Sequence, residues 1–334
     1  MDTTHWLPGA TLDTLRQAAR LRQSVRQWML QQGILEVFTP ALSAAGATDP
    51  HVASLRTRQG KYLQTSPEFP MKRLLAAHAL ELADGTSTRV QPDLYQIATV
   101  FRAEESGRYH NSEFSLLEWY RIGRDHHALM QDLENLLRHI WDTAELAWPG
   151  IESRRYGVEV RRRLGVWPEQ ATTNDIARYF ASAGRSYPES IGGDVDAALD
   201  LFIDEFVLPE FAGDAFTLLI DYPVSQCALA RLGSDEEGRA VARRFELYFG
   251  RLELANGFHE LCDATIQRSR FEADLRKRDH LAAERISMDE NLLQAMAAGL
   301  PDCAGIALGL ERLHMVLGQH AHIREVMSFD EQRA

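Results

Sequence analysis

Two stretches of the chain, 96–101 and 114–120, alternate apolar and polar residues. This period of two predicts β-strands, because successive side chains of a strand point to opposite faces. The residues between the two stretches are polar and include Gly107 and Asn111, which are both favoured in turns. The pattern therefore predicts a long antiparallel hairpin with a polar loop.

Apolar residues at helical spacing predict several helices. The first covers about 12–32 and ends at Gly33, a residue suited to a helix C-terminus. A second starts at 66–68, where proline and glutamate favour a helix N-terminus, and runs to about 79. Further helices are predicted at about 128–146, 174–183, 195–207, 266–285 and 289–298.

The remaining strands are short, and 150–215 gives the weakest pattern of the chain. Strands are predicted at 34–38, 61–64, 216–222, 243–254 (with a bulge at Gly250) and 305–309, where the last runs into a helix. Hairpins and irregular connections, not regular βαβ crossovers, join these strands. The sequence therefore predicts one α+β domain over 1–334, with an antiparallel sheet flanked by helices.

Composition narrows the class of protein. The 334 residues are 45% hydrophobic and 25% charged, which is ordinary for a soluble enzyme. A formal net charge of −12 makes a broad nucleic-acid surface unexpected. The three cysteines lie far apart and indicate neither a disulfide framework nor a zinc site. Because no stretch reads as a membrane span or a signal peptide, we expect a cytoplasmic protein.

The polar hairpin carries the first candidate chemistry. Arg102 stands at the end of a predicted strand and faces a loop rich in polar groups. A guanidinium group matches the oxygens of a phosphate, so this position suits a nucleoside triphosphate. The alternative is a charged hairpin that is simply solvated, and the hairpin alone does not decide between them.

Three glutamates at a spacing of seven residues are the second candidate: Glu246, Glu253 and Glu260. The bulge at Gly250 or a bend at 256–257 would bring carboxylates together. Mg²⁺ bound with a nucleotide uses one or two carboxylates plus phosphate oxygens. The alternative is three exposed glutamates on an edge strand. The histidines show no helical ligand spacing, which argues against a histidine metal enzyme.

A glycine-spaced strand is the third candidate. Glycines at 305 and 309 would let a ligand approach the backbone, and Arg312 follows on the first turn of a helix. The alternative is tight packing of sheet and helix. The spacing matches neither the P-loop nor the dinucleotide fingerprint, so an ATP site would need another architecture.

Taken together, these passages resemble the class II aminoacyl-tRNA synthetases, and they follow the order of that family's motifs. Motif 1 is matched at about 12–40, motif 2 at about 96–121 and motif 3 at about 303–318. Within class II the chain is similar to the lysyl branch through 65–68, 108–114 and 253–261. The resemblance covers nearly the whole chain. It implies an antiparallel sheet flanked by helices, ATP as co-substrate, Mg²⁺, and a homodimer formed through motif 1.

Motif 1 begins almost at the N-terminus, so we expect a catalytic domain without the anticodon-binding domain of lysyl-tRNA synthetases. This organisation resembles a free-standing paralogue family, which activates (R)-β-lysine or lysine with ATP and transfers it to a lysine side chain of elongation factor P. The resemblance implies a diamino acid as substrate and elongation factor P, not tRNA, as acceptor. The alternatives are a compact lysyl-tRNA synthetase and a non-catalytic regulatory paralogue. Such non-catalytic paralogues typically lose the arginine of motif 2 or 3, whereas Arg102 and Arg312 are both present.

The resemblance also implies a role for individual residues. Arg102 and Arg312 would be catalytic and would bind ATP from opposite sides. The other ATP contacts implied are Ala103, Glu104, Asn111, Phe114, Glu253, Leu254 and Gly309, while Glu246 and Glu253 would hold Mg²⁺. The implied diamino-acid contacts are Ser66, Pro67, Glu68, Glu118, Tyr120, Asn256, Phe258, Glu260 and Ala307. Among these, Glu68 would meet the amine nearer the carboxylate, and Glu118, Tyr120 and Glu260 the distal amine.

The chain departs from the lysyl-tRNA synthetase pattern at a few positions. Ala307 stands where those enzymes usually have glycine, and its methyl group would crowd an α-amino group. This favours the β-isomer, whose amine lies one carbon further along. Ala103 replaces a frequent asparagine, 227–230 a Ser-Pro-Leu-Ala run and Glu311 an aspartate. None of these changes removes an implied ATP contact, so activity is expected.

Overall fold

The computed structural model describes residues 6–86, 92–103 and 106–334. The chain packs into two compact units. The first consists of Met1–Trp148 and Glu260–Ala334, and the second of Pro149–His259. Within the described residues, none of the helices combines the length and the apolar character that crossing a bilayer requires.

Helices and strands alternate irregularly along the chain. The helices are α1 (Leu12–Gln31), α2 (Glu68–Ala83), α3 (His126–Thr143), α4 (Tyr156–Leu164), α5 (Thr173–Ser182), α6 (Val195–Phe202), α7 (Ala264–His280), α8 (Glu290–Gly299) and α9 (Leu310–Gly318). The strands are β1 (Leu35–Glu36), β2 (Leu42–Ser43), β3 (Tyr62–Leu63), β4 (Leu94–Phe101), β5 (Glu113–Ile122), β6 (Ile151–Arg155), β7 (Phe216–Tyr222), β8 (Leu232–Ser234), β9 (Ala240–Phe249), β10 (Leu252–His259) and β11 (Cys303–Gly309).

In the first unit, β1, β4, β5 and β11 are neighbours in that order in one sheet. The strands β4 and β5 are antiparallel, with Leu94 opposite Tyr120, and β5 and β11 are antiparallel, with Ala307 opposite Glu118. The hairpin predicted from the alternating pattern is therefore confirmed. The short strand β1 pairs with β4 in parallel, so the sheet is mixed and not purely antiparallel.

The first helix forms where its sequence pattern places it. The Thr11 hydroxyl accepts a hydrogen bond from the Thr14 backbone N–H at 3.2 Å and caps the N-terminus of α1. Gly33 follows the helix with a φ of 70°, a left-handed conformation that glycine adopts without strain. There the chain turns into β1. The buried face of α1 includes Ala18, Leu21, Val25, Trp28 and Met29.

The second unit is also built on a sheet with helices packed against it. The strands β10, β9, β7 and β6 are neighbours in that order, and β8 pairs with β9. The strand β9 is antiparallel to β10 and β7, whereas β6 and β7 are parallel. The core contains Val160 of α4, Phe180 of α5, Phe202 of α6 and Leu219 of β7. Both helices predicted within 174–207 are therefore confirmed.

The prediction of one strand over 243–254 with a bulge at Gly250 is wrong. The structure has two strands, β9 and β10, and Gly250 lies in the turn between them with a φ of 55°. The irregularity in strand register lies between Glu253 and Ala255. Apolar alternation continues through both strands of a hairpin, and glycine suits a turn as well as a bulge, so the pattern alone does not separate the two arrangements.

Candidate active site

The end of the β4–β5 hairpin holds Arg102 against an aromatic ring. The Arg102 guanidinium lies over the Phe114 ring, 5.1 Å from its centroid. Its Nε donates to the Thr65 carbonyl oxygen at 3.4 Å, and its backbone N–H donates to the Ser112 carbonyl oxygen at 2.9 Å. Phe114 and Ala307 both pack against the buried apolar cluster of β4 and β5. The structure thus brings an implied phosphate ligand and an implied adenine platform together.

Motif 3 is joined to the same hairpin. Gly309 is the N-cap of α9, and Arg312 lies in the first turn of that helix. The Arg312 Nε donates to the carbonyl oxygen of Tyr109 in the hairpin loop at 3.2 Å. The two arginines of the implied nucleotide site therefore sit on elements that are in direct contact.

Two further implied ATP residues lie in the hairpin loop. Asn111 is buried; its Nδ2 donates to the Glu113 carbonyl oxygen at 2.7 Å, and its Oδ1 accepts from the Glu331 backbone N–H at 3.0 Å. The Asn111 side chain therefore braces the loop in this structure. The backbone N–H of Ala103 donates to the Ala53 carbonyl oxygen at 2.8 Å. Glu104 lies outside the described residues.

A buried carboxylate occupies the middle of β5. Glu118 is 2% exposed, and the Tyr120 hydroxyl donates to its Oε1 at 2.8 Å. The Ser66 hydroxyl donates to Glu118 Oε2 at 2.6 Å and accepts from the Glu68 backbone N–H at 3.0 Å. Pro67 is the N-cap of α2, which places Glu68 at the first helical position. The Ser66 hydroxyl therefore connects the turn before α2 to strand β5.

A second group of charges lies in the same unit, around Lys72 of α2. Its ammonium nitrogen lies 2.6 Å from Glu68 Oε1 and 2.6 Å from Glu260 Oε2. Lys72 and Glu260 are each 1% exposed. Together with Glu118 these residues form the acidic pocket, defined here as Ser66, Glu68, Lys72, Glu118, Tyr120 and Glu260.

Burial makes the charges of the acidic pocket costly. Burial, followed by the charge of Glu68, raises the pKa of Glu118 to about 8. Burial also raises the pKa of Glu260 to about 7, although the charge of Lys72 acts in the opposite direction. Burial alone would lower the pKa of Lys72, but Glu260 and Glu68 raise it above its ordinary value. Such a pocket is stabilised by bound cations, which provide partners for its carboxylates.

Sequence reasoning missed Lys72 of this pocket and the role of Gly305 beside it. A side chain at Gly305 would overlap the Tyr120 ring and the Glu260 carboxylate, so glycine is required for the two to approach β11 this closely. The spacing of glycines in this strand predicted access for a ligand, whereas the space beside Gly305 is occupied by the Tyr120 ring. Lys72 gave no signal, because a glutamate and a lysine four residues apart on a helix are usually a surface pair.

The second unit carries the other implied ligands on the β9–β10 hairpin. Glu246 pairs with Asn256 and Tyr248 with Glu253 across the two strands. Residues directly opposite each other share a face, as do Glu246 and Tyr248 at a spacing of two. The register shift after Glu253 keeps Asn256 on that face as well. The two implied metal ligands are therefore brought to one face of one hairpin.

Arg244 organises this face, and sequence reasoning missed it too. Its guanidinium forms an ion pair with Glu246, which also accepts a hydrogen bond from the Tyr248 hydroxyl. Asn256 donates to Glu246 Oε1 at 3.3 Å and accepts from Arg244 Nε at 3.4 Å. The Phe258 ring centroid lies 5.8 Å from the Arg244 guanidinium carbon. Burial opposes the charge of Arg244, but Glu246 raises the Arg244 pKa above its ordinary value.

The donor set of this hairpin fits a divalent cation that arrives with a nucleotide. In the part of the chain that the structure describes, no three His, Cys, Asp or Glu side chains lie close enough to hold a metal ion by themselves. Mg²⁺ in nucleotide sites takes one or two carboxylates and completes its shell with phosphate oxygens and water. Glu246 and Glu253 would supply such a pair. Leu254, which follows Glu253, is buried.

The fold and these sites define a class of protein. The family model of class II tRNA synthetases (D, K and N) matches residues 9–333, and the chain belongs to this family. The resemblance drawn from the three motifs and the α+β fold class are thereby confirmed.

The chain is also similar to individual proteins named elongation factor P–(R)-β-lysine ligase. The Vibrio cholerae protein is 38% identical over 343 residues, and the match covers 100% of both chains. The Vibrio vulnificus protein is 39% identical, with 97% of each chain covered. The protein of Salmonella paratyphi B is 37% identical, with 100% of this chain and 99% of the relative covered.

Proposed function

We propose that this protein uses ATP and Mg²⁺ to activate a diamino acid, (R)-β-lysine or lysine, as an aminoacyl-adenylate. It then transfers the acyl group to the side-chain amine of a lysine of elongation factor P. The observation that carries the proposal is the buried acidic pocket, two of whose residues, Glu118 and Tyr120, lie on the hairpin that carries Arg102 and Phe114. The pocket suits a substrate with two ammonium groups, and the names of the relatives supply the acceptor.

In the first step, an oxygen of the substrate carboxylate attacks the α-phosphorus of ATP, and the bond to the pyrophosphate oxygen breaks. Arg102 and Arg312 stabilise the negative charge that develops on the phosphate oxygens. Phe114 provides a face for the adenine ring. Glu246 and Glu253 would hold Mg²⁺, which when bound neutralises phosphate charge. Positioning and charge neutralisation account for this step, and no side chain acts as a covalent nucleophile.

In the second step, the acceptor lysine nitrogen attacks the acyl carbon. AMP leaves, and the nitrogen gives up a proton as the amide forms. The acidic pocket holds the amines of the acyl group during this transfer. The roles of Ala103, Glu104, Asn111, Leu254, Asn256, Phe258, Ser66 and Pro67 remain predictions from the resemblance.

The proposal extends to assembly and location. Leu30, Leu35 and Phe38 of motif 1 are 79%, 47% and 80% exposed, and an exposed apolar surface of this kind favours association of two copies. We therefore propose a homodimer formed through motif 1. Because its proposed acceptor is a translation factor, we propose that the protein works in the cytoplasm.

Two measurements test the proposed function. Purified elongation factor P, incubated with the protein, ATP and (R)-β-lysine, should gain the mass of one acyl group. An unchanged mass together with charged tRNA would show a tRNA synthetase instead.

Substituting Arg102→Ala should reduce diamino-acid-dependent exchange of pyrophosphate into ATP by at least about a hundredfold, the scale of losing an electrostatic contact to the transition state. Exchange near the wild-type rate would contradict the assigned mechanism.

A further inference from the structure

Lys72 is a buried cation inside a pocket that is proposed to bind cations. It is 1% exposed, and its nitrogen lies 2.6 Å from an oxygen of Glu68 and 2.6 Å from an oxygen of Glu260. An exposed lysine–glutamate pair contributes little to stability, and burying one is costly, so stability alone gives no reason to bury this one. Both of its partners are residues that the proposed function assigns to the amines of the substrate.

The charges of the pocket can be counted. Glu68 and Lys72 come from α2, Glu118 and Tyr120 from β5, and Glu260 directly follows β10, with the Cys303 thiol of β11 close to it. Three carboxylates and one ammonium group leave two negative charges when Glu68, Glu118 and Glu260 are all ionised. A diamino acid brings two ammonium groups. Without Lys72 the same three carboxylates would require three.

We propose that Lys72 is a specificity-determining counter-ion, which favours the ionised form of Glu260 and sets the charge of the acidic pocket to match two ammonium groups. It acts through Glu68 and Glu260 and does not itself contact the substrate, so it is a positioning residue. This inference rests on the proposed function, because it takes the acidic pocket as the diamino-acid site.

The consequence is a specific pH dependence. Burial raises the pKa of Glu260 to about 7 even though the charge of Lys72 lowers it. Removing Lys72 lifts the Glu260 pKa further, so Glu260 retains its proton at neutral pH and cannot hold an ammonium group. Affinity for the diamino acid then falls at pH 7 and recovers as the pH rises through the new pKa of Glu260. A loss caused only by disturbed packing would be the same at every pH.

Pyrophosphate exchange with (R)-β-lysine and with lysine, measured between about pH 6.5 and 9, tests the inference. Lys72→Met should raise the KM for the diamino acid at pH 7 by about fivefold, because a rise of one unit from a pKa of about 7 lowers the ionised fraction of Glu260 at pH 7 by about that factor. The KM should approach the wild-type value towards pH 9, with kcat little changed. Arg73→Met is the matched control, because Arg73 is an exposed cation on the same helix. It should behave as wild type.

A double variant covers the case in which Lys72→Met does not fold. Lys72→Met with Glu260→Gln removes both charges of the buried pair, which is tolerated better than removing one. It should fold and lose the part of the KM pH dependence that belongs to Glu260, while keeping the part that belongs to Glu118.

Three results separate the possible failures. A KM in Lys72→Met that equals the wild-type value, or exceeds it by a constant factor at every pH, would overturn the role of Lys72. The same conclusion would follow if the double variant kept the full wild-type pH dependence. If the wild-type protein catalysed no pyrophosphate exchange with either lysine isomer, the proposed function would instead be overturned.

Discussion

Glu118 shows how a single residue links function to a cost in stability. It is buried, its two oxygens are held by Tyr120 and Ser66, and its pKa is raised to about 8, mainly by burial. A bound ammonium group would offset this cost. In the absence of substrate, the folded protein carries a carboxylate whose ionisation it opposes.

The substitution Glu118→Gln should therefore stabilise the protein while impairing function. Because the Glu118 pKa is higher in the folded state than the ordinary value of 4.5, this residue costs stability increasingly as the pH rises from 4.5 to 8. Thermal melting should show the variant more stable than wild type at pH 8, with the difference shrinking towards pH 4.5. The KM for the diamino acid should rise by at least about tenfold, since one charged partner of an ammonium group is lost. Equal melting temperatures of the variant and the wild type at pH 8 would show that the buried charge of Glu118 does not reduce stability.

At the scale of elements, Arg22 of α1 joins motif 1 to motifs 2 and 3. Its guanidinium donates to Glu311 of α9 at 3.1 Å and to the Ser115 hydroxyl of β5 at 2.9 Å. Glu311 also accepts from the Ser115 backbone N–H at 2.8 Å. Ser115 follows Phe114 in the chain and Glu311 precedes Arg312, so this three-way bridge supports the residues proposed to bind ATP.

Removing the bridge should weaken ATP binding selectively. The side chain of Arg22 is 33% exposed, and a pair of this kind contributes about 1 kcal/mol or less. Arg22→Met should therefore raise the KM for ATP by about fivefold or less in pyrophosphate exchange, with the KM for the diamino acid unchanged. Arg16→Met provides the control, because Arg16 is exposed on the same helix and its guanidinium bonds to Asp13, three positions away. A proportional rise in both KM values would indicate a general loss of structure.

Features that depend on residues close together in the chain could be predicted from the sequence, whereas features that depend on distant residues could not. The β4–β5 hairpin and α1 were predictable, because their periodicity and end residues act within a few positions along the chain. The parallel pairing of β1 with β4 was not, since it joins segments far apart in sequence. Lys72 had the spacing of a surface ion pair, and only the packing of α2 in the tertiary structure makes it a buried one.

At the scale of the whole molecule, the acidic composition agrees with a protein acceptor. A protein with a net charge of −12 lacks the overall electrostatic attraction to phosphates that nucleic-acid binding proteins usually have. If the protein did bind tRNA through contacts to the phosphate backbone, the rate of tRNA charging would fall steeply as the salt concentration rises. The family match over residues 9–333 accounts for the catalytic fold, and the acidic composition supports the proposed protein acceptor.

The proposed homodimer is the property of the whole molecule that a single surface residue tests best. Phe38 follows β1 in motif 1 and is 80% exposed, so a charge there would be solvated in a monomer but would be costly to bury in a dimer interface. Phe38→Asp should convert the dimer to a monomer in analytical ultracentrifugation. Phe329→Asp introduces the same change at a phenylalanine that is 45% exposed outside motif 1, and this variant should remain dimeric. A Phe38→Asp protein that sediments as wild type would place the interface elsewhere, or show that the wild-type protein is itself a monomer.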